Sequence, residues 1–233
     1  MVEIKGVVFD IDDTLYLERD YVHSGFKAIA ELIGNKSGPA QKREEVFEFL
    51  WSAFESGISG NTFDLLFQTF PTLMDQFSVQ DLVRAYREHI PSIEIDPEMR
   101  KLIEHIKSKD IRLGVISDGP LNAQKNKTLS LGLEELFDEI ALTDLWGREF
   151  WKPHHRAFEY IELRFGLLPE HLLYIADNPK KDFIAPNQRG WKSIHLVAPG
   201  QLTVDKNSEK QEAEAQYVVY SIGELTEILL TTV

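Results

Sequence analysis

The chain contains no cysteine and no apolar run as long as the roughly 18 residues of a membrane-spanning helix. The absence of cysteine excludes disulfides, thiolate metal sites and cysteine nucleophiles. The N-terminal residues also lack the basic start, the extended apolar stretch and the cleavage site of a signal peptide. These absences predict a cytoplasmic protein without a transmembrane segment.

Basic residues are scarce relative to acidic ones. The chain has 25 Lys and Arg residues against 38 Asp and Glu residues, a formal net charge of −13. Non-specific binding to nucleic acids or to a membrane surface depends on basic surfaces, so neither partner is expected. A local basic site could still bind a small anion. The length of 233 residues allows one main domain with an inserted module, and leaves the oligomeric state open.

Short apolar runs bounded by polar residues predict a sheet of six strands. Several runs are continuous rather than alternating, as in parallel strands that are covered on both faces. Helical patterns alternate with them from about residue 97 onward, which is typical of a doubly wound α/β sheet. The predicted strands are Ile4–Asp10, Ile111–Ser117, Glu139–Thr143, Leu172–Asp177, Lys192–Val197 and Tyr217–Val219, and the predicted helices are Pro97–Lys109, Leu121–Leu131, Pro153–Phe165 and Pro179–Arg189.

Residues 16–95 follow a different pattern. Apolar residues recur there at helical spacing, and no β-type run interrupts them. We therefore expect an all-helical module at 16–95, inserted into an α/β core formed by 1–15 and 96–233. The alternative is two domains without a functional relation. A polar segment at 201–216 is expected to form an exposed loop.

Carboxylates cluster where the first predicted strand ends. Asp10 and Asp12 are separated by one apolar residue, and open α/β sheets bind ligands at the carboxyl ends of their strands. Neighbouring carboxylates repel each other unless a cation or a proton compensates. One of them could attack phosphorus to form an aspartyl-phosphate, while the other protonates the leaving oxygen. The alternative is a solvated acidic turn that caps a helix.

Other predicted strands also end in polar residues. The Ser117 hydroxyl and the N–H groups of the Asp118–Gly119 turn could hold a phosphoryl oxygen, although Ser117 could instead cap a helix. Lys152 could pair with the carboxylates and an incoming phosphate, or be a solvated side chain. These residues recur in the order acid pair, hydroxyl and lysine, which independent helix caps would not be expected to produce.

A second acid pair follows the fourth predicted strand. Asp177 ends that strand and Asp182 comes five residues later, and carboxylate oxygens are ligands that Mg²⁺ prefers. The alternative is that Asn178–Pro179 caps a helix. The adjacent His154 and His155 indicate zinc only weakly, because neighbouring histidines rarely face one ion.

These segments resemble the haloacid dehalogenase superfamily over residues 4–197. The motifs are VVFDIDDTL, GVISDG, WKPHHRAF and IADNPKKD, in that order. The resemblance implies a Rossmann-like core with a helical cap between the first and second motifs. It also implies a Mg²⁺-dependent phosphatase that hydrolyses a phosphorylated small metabolite through an aspartyl-phosphate.

The same resemblance implies a role for each motif residue. Asp10 would be the nucleophile and Asp12 the general acid/base. Phosphate would be bound by Ser117, Asp118, Gly119 and Lys152. The resemblance further implies that Mg²⁺ is held by the Asp10 carboxylate, the Asp12 carbonyl and the Asp177 carboxylate, with Asp182 and Thr14 in support.

The chain departs from the family pattern at Ala176, where Gly is frequent, and at Ala185–Pro186, where Gly-Ala is frequent; both affect loop geometry. Asp12 favours phosphoryl chemistry, because related dehalogenases typically lack that acid. A sugar-phosphate mutase on the same scaffold and a non-enzymatic Mg²⁺/phosphate sensor are the alternatives. Cap residues would choose the substrate, and Arg19 and His23 are candidate contacts.

Overall fold

The computed structural model describes residues 3–37, 40–202 and 211–232. Its contacts divide the chain into two compact units, an α/β unit formed by 1–19 and 93–233 and a helical unit formed by 20–92. The divisions fall after residue 19 rather than 15 and before residue 93 rather than 96. The central part of the predicted loop at 201–216 lies outside the described residues.

Six parallel strands form the sheet of the α/β unit, in the order β3-β2-β1-β4-β5-β6. The expected doubly wound parallel sheet is confirmed. Strand β1 lies between β2 and β4, so the connections run outward in opposite directions from the centre, and such a switch point is where these sheets bind ligands. The strands are β1 Gly6–Phe9, β2 Arg112–Ser117, β3 Glu139–Leu142, β4 Leu172–Ala176, β5 Lys192–Leu196 and β6 Tyr217–Val219.

Ten α-helices accompany the sheet and the insertion within the described residues. In chain order they are α1 Glu18–Ser37, α2 Ala40–Glu55, α3 Thr62–Thr69, α4 Val79–Glu88, α5 Pro97–Lys107, α6 Leu121–Leu131, α7 Leu133–Leu136, α8 Arg156–Phe165, α9 Ile184–Arg189 and α10 Ile222–Thr232. Short 3₁₀ segments occupy Pro71–Asp75, Thr143–Leu145, Arg148–Phe150, Pro169–His171 and Gln211–Ala213. None of the described helices combines the length and apolar composition that crossing a membrane requires.

Two predicted helix starts are wrong. Helix α8 begins at Arg156 rather than Pro153, and α9 begins at Ile184 rather than Pro179. Asn178 does not cap α9, because its side-chain oxygen accepts a hydrogen bond from the Lys180 N–H in a turn ahead of the helix.

Large apolar side chains cover the sheet. Phe158 of α8 packs edge-on against Tyr174 and Trp191, with ring centroids 5.1 and 5.3 Å apart respectively. All three are fully buried. On α5, which also packs against the sheet, the buried residues are Met99, Leu102, Ile103 and Ile106. This burial explains the continuous apolar strands, and it leaves the strand ends as the place where polar residues can gather.

The part of residues 20–92 that the structure describes contains helices and no strand. Aromatic rings fill its centre, where Tyr86 lies edge-on to Tyr21 with centroids 5.5 Å apart. A Cβ at Gly25 would lie 2.3 Å from the Tyr86 ring, so α1 can approach that ring only with glycine there. The Ser78 and Asp81 side chains close a capping box at the start of α4.

The chain leaves and re-enters the α/β unit at neighbouring points. The Asp96 N–H donates a hydrogen bond of 3.0 Å to the Leu15 carbonyl. The Asp96 side chain then caps α5 by accepting hydrogen bonds from the N–H groups of Glu98 and Met99. The start of α5 is thereby fixed beside the segment that follows β1.

Candidate active site

The predicted site residues of three strands lie along one edge of the sheet. Asp10 follows β1, Ser117 ends β2 and Asp177 follows β4. The Asp10 N–H donates a hydrogen bond of 2.9 Å to the Ile175 carbonyl, which continues the pairing of β1 with β4 beyond the end of β1. The carboxylates therefore start from rigid backbone at the switch point of the sheet.

Three buried acids converge at this edge. Asp10, Asp177 and Asp182 each offer a carboxylate oxygen, and these atoms lie within 4.8 Å of one another. The Asp182 Oδ2 accepts a hydrogen bond from the Asn178 N–H, which holds Asp182 in the turn after β4. Sequence spacing alone could not show that Asp182 faces the same point as Asp10.

Lys152 is the internal cation of this cluster. Its Nζ lies 2.9 Å from Asp10 Oδ1 and 2.7 Å from Asp182 Oδ1, and it donates to the Tyr174 hydroxyl. The Lys152 side chain is fully buried, so the alternative of a solvated lysine is wrong. One lysine thus joins the segment after β1 to the turn after β4.

The acid cluster fits a divalent cation. The Asp182 Oδ1 is buried and accepts no hydrogen bond, because its 2.7 Å contact with Lys152 is an ion pair without hydrogen-bond alignment. The three converging carboxylates outnumber Lys152 and Lys181, the lysines whose charges act on Asp10, so the buried site still lacks positive charge. Hard oxygen donors of this kind suit Mg²⁺ or another hard cation.

The surroundings of Asp10 change its acidity. Burial raises the pKa of the Asp10 carboxyl to about 6, the Lys152 charge opposes that shift, and Asp182 reinforces it. Burial alone would lower the pKa of Lys152, but Asp10 and Asp182 hold it well above its usual value. Lys152 therefore carries its full charge in the site.

Asp12 has a different set of partners. Its Oδ1 lies 2.6 Å from Lys127 Nζ and accepts a hydrogen bond from the Tyr16 hydroxyl, and its Oδ2 accepts one of 3.2 Å from Gln124 Nε2. Burial acts to raise the pKa of Asp12, but the Lys127 charge and these hydrogen bonds lower it overall. Asp10 and Asp12 therefore have pKa values shifted in opposite directions.

The end of β2 connects to Asp12 through Gln124. The Ser117 hydroxyl donates a hydrogen bond of 3.0 Å to Gln124 Oε1, so Ser117 does not cap a helix. Gly119 has φ +137°, and a Cβ there would lie 2.6 Å from Gln124 Nε2. The Asp118 carboxylate accepts hydrogen bonds from the Lys152 N–H and the Thr143 hydroxyl, so its side chain supports the lysine segment.

The turn after Asp12 is held by Asp13, a residue without a predicted role. Asp13 has φ +52°, and its carboxylate accepts hydrogen bonds from the N–H groups of Glu18 and Leu202. The Thr14 hydroxyl is buried and forms no hydrogen bond. Among the described residues, His154 and His155 belong to no group of metal-ligating side chains.

The two candidate substrate contacts remain predictions. Arg19 belongs to the α/β unit, at its boundary with the helical unit. His23 belongs to the helical unit, where its ring lies 5.0 Å from the rings of Phe47 and Trp51.

Sequence reasoning missed Tyr16, Gln124, Lys127 and Tyr174. A signal for two of them exists in α6, whose buried residues are Ala123, Gln124, Lys127, Thr128 and Leu131. Gln124 and Lys127 lie on the same stripe as Ala123 and Leu131. Polar residues on the buried stripe of a helix require polar partners.

Comparison with known proteins agrees with this arrangement. The family model of the haloacid dehalogenase-like hydrolases matches residues 4–188. The chain is 26% identical over 230 residues to a glyceraldehyde 3-phosphate phosphatase of Methanocaldococcus jannaschii, covering 97% of this chain and 96% of that protein. It is 28% identical over 240 residues to a protein of the same name from Methanothermobacter thermautotrophicus, covering 97% and 100%.

Among solved structures, the magnesium-bound hydrolase YfnB of Bacillus subtilis shares the fold with a TM-score of 0.65 at 19% identity, covering 98% of this chain and 99% of that one. A parallel sheet with carboxylates, a hydroxyl and a lysine at its switch point defines the class of protein. The chain belongs to the haloacid dehalogenase-like hydrolase family, as its motifs predicted.

Proposed function

We propose that the protein is a Mg²⁺-dependent phosphatase that hydrolyses the monoester of a phosphorylated small metabolite, with Asp10 as the nucleophile. The observation that carries the proposal is that Asp10 and Asp12, which are two residues apart in the sequence, have different partners. Asp10 pairs with the buried Lys152 beside Asp177 and Asp182, whereas Asp12 is held by Lys127, Tyr16 and Gln124.

In the first half of the reaction, an Asp10 oxygen forms a bond to phosphorus as the bond to the leaving oxygen breaks. Asp12 gives a proton to that leaving oxygen, and because Lys127 favours the ionised carboxyl, Asp12 takes up that proton when the negatively charged phosphate binds beside it. The Lys152 ammonium balances the charge that develops on the phosphoryl oxygens. The Ser117 hydroxyl and the N–H groups of Asp118 and Gly119 are proposed to orient them.

In the second half, water attacks phosphorus and Asp12 accepts the proton that the water loses. The Asp10 carboxylate is released, and the products are phosphate and the free alcohol. The Asp10 and Asp177 carboxylates and the Asp12 carbonyl would hold Mg²⁺, with Asp182 and Thr14 in support. The ion supplies charge compensation and alignment of the phosphate when it is bound.

Residues 16–95 are proposed to form the cap that selects the substrate. Glyceraldehyde 3-phosphate is the first compound to test, because both relatives described above carry its name. A screen of phosphorylated metabolites with Mg²⁺ should detect release of inorganic phosphate from this compound or from another member of the panel. A mutase would instead return an isomer that retains the phosphoryl group, which phosphorus NMR distinguishes. No phosphate release from any compound would contradict the proposal.

A further inference from the structure

Helix α6 brings a second lysine into the site, beside Asp12. The Lys127 side chain is 4% exposed, and its Nζ lies 2.6 Å from Asp12 Oδ1. Lysine is almost never buried to this extent unless it is paired. The motifs give this lysine no role, and the mechanism above names it only as a partner of Asp12.

The two oxygens of the Asp12 carboxylate are held differently. Oδ1 accepts hydrogen bonds from the charged Lys127 and from the Tyr16 hydroxyl. Oδ2 accepts only the longer bond of 3.2 Å from the neutral Gln124 amide, among the residues that the structure describes. Charge-assisted hydrogen bonds are about twice as strong as neutral ones. The carboxylate is therefore anchored through Oδ1, and Oδ2 is the oxygen available to the reaction.

Gln124 connects Asp12 Oδ2 to the predicted phosphate site through two hydrogen bonds. Its amide nitrogen donates to Asp12 Oδ2, and its amide oxygen accepts from the Ser117 hydroxyl. All three residues and Lys127 are linked by side-chain contacts between the segment after β1, the end of β2 and α6. A rotation of the Asp12 carboxylate would break contacts with both Lys127 and Gln124.

We propose that Lys127 is a positioning residue for proton transfer. It fixes Asp12 Oδ1, so that Oδ2 gives the proton to the leaving oxygen and later takes one from the attacking water. This inference rests on the phosphatase function proposed above. Lys127 acts through Asp12 and not through contact with the phosphoryl group, for which Lys152 is the proposed cation.

The test compares Lys127→Met, Lys127→Arg and a control, Lys125→Met, which changes an exposed lysine on the same helix. Lys127→Met should slow turnover of the fastest alkyl phosphate in the panel by about 10²-fold or more. The first step with p-nitrophenyl phosphate, whose leaving group needs little protonation, should slow far less, and phosphoenzyme should accumulate. Lys127→Arg should recover part of the loss in kcat with KM unchanged, and Lys125→Met should behave as wild type.

A double variant separates positioning from direct action. If Lys127 works through Asp12, then Asp12→Asn/Lys127→Met should be no slower than Asp12→Asn alone. Multiplied losses, or a change confined to KM, would overturn the inference. Wild-type turnover by Lys127→Met would overturn it as well, while leaving the proposed function intact.

Tyr16→Phe provides a second route, because it removes the other donor to Asp12 Oδ1. If thermal melting shows that Lys127→Met does not fold, Tyr16→Phe should still show a loss that depends on the leaving group and disappears in the Asp12→Asn background. Equal losses with both substrates would refute the inference. Absence of phosphate release from wild type and from Lys125→Met would instead refute the proposed function itself.

Discussion

At the scale of residues, the site depends on how two neighbouring carboxylates are surrounded. Burial raises the pKa of Asp10 to about 6 despite Lys152. Asp12 is buried as well, but Lys127 and three hydrogen bonds lower its pKa. The chain thus gives two acids of the same chemistry opposite pKa shifts, and each faces a different lysine, one from the loop before α8 and one from α6.

The first prediction concerns Asp10. We expect Asp10→Asn to retain the fold and lose phosphate release, because an amide cannot form the aspartyl-phosphate. Turnover and thermal melting should be measured beside Asp20→Asn, which changes an exposed acid and should have normal activity. Near-normal turnover of Asp10→Asn would exclude the proposed mechanism.

The second prediction concerns Asp12. Loss of a positioned acid/base costs about 10²–10⁴-fold, and Asp12→Asn should show that loss with an alkyl phosphate. With p-nitrophenyl phosphate, phosphoenzyme should accumulate, because hydrolysis of the intermediate still needs the base. Rapid quench followed by mass analysis would locate the phosphoryl group on Asp10. Equal losses for both leaving groups without phosphoenzyme would contradict the role of Asp12.

The sequence predicts the motif residues better than the side chains that hold them in position. Asp10, Ser117 and Asp177 could be located because they end apolar runs that become strands. Lys127 and Gln124 could not, because only the folded position of α6, which packs beside β3, brings its polar stripe to Asp12. The side chain of Asp118 illustrates the same limit, since its bonds to Lys152 and Thr143 depend on contacts between distant segments.

At the scale of elements, all six predicted strands are present, because both faces of the sheet are covered and the apolar runs follow that burial directly. The starts of α8 and α9 were predicted too early. Proline at the first turn is a good helix signal, but the residues beside Pro153 and Pro179 form turns ahead of both helices. Asn178 and Asp182 bond to each other there instead of beginning a helix.

The third prediction tests the turn between β2 and α6. Gly119→Ala should lower both stability and turnover, because its φ of +137° suits only glycine and its Cβ would meet the Gln124 amide. Gly132→Ala is the matched control, since Gly132 has φ +66° with no atom within 4 Å of an added Cβ. It should cost about 1–2 kcal/mol of unfolding free energy and leave turnover unchanged. Urea unfolding gives the stability of both variants, and steady-state kinetics gives their turnover. Equal turnover of Gly119→Ala and Gly132→Ala would argue against a role for Gln124.

At the scale of the whole molecule, the proposed metal site joins segments that are far apart in the chain. Asp10 comes from the first strand and Asp177 from the fourth, so binding of an ion links the start of the α/β unit to its later half. A ligand that binds only the folded chain stabilises it.

The fourth prediction is that chelation stops phosphate release and that added Mg²⁺ restores it, with Ca²⁺ a poor substitute because its coordination is larger and looser. Mg²⁺ should also raise the melting temperature of wild type and of Asp20→Asn. Asp177→Asn should lose that rise. Activity that survives chelation, or that needs zinc, would count against this site.

The hydrogen bond between Leu15 and Asp96 has a consequence for engineering the helical unit. Leu15 and Asp96 are hydrogen-bonded neighbours, so the chain can leave the α/β unit for residues 20–92 and return without straining the sheet. Closing a loop twice as long costs only about 0.6 kcal/mol more. The helical unit can therefore be lengthened, shortened or replaced at a small cost in loop-closure entropy, without moving the strand ends that carry Asp10 and Ser117.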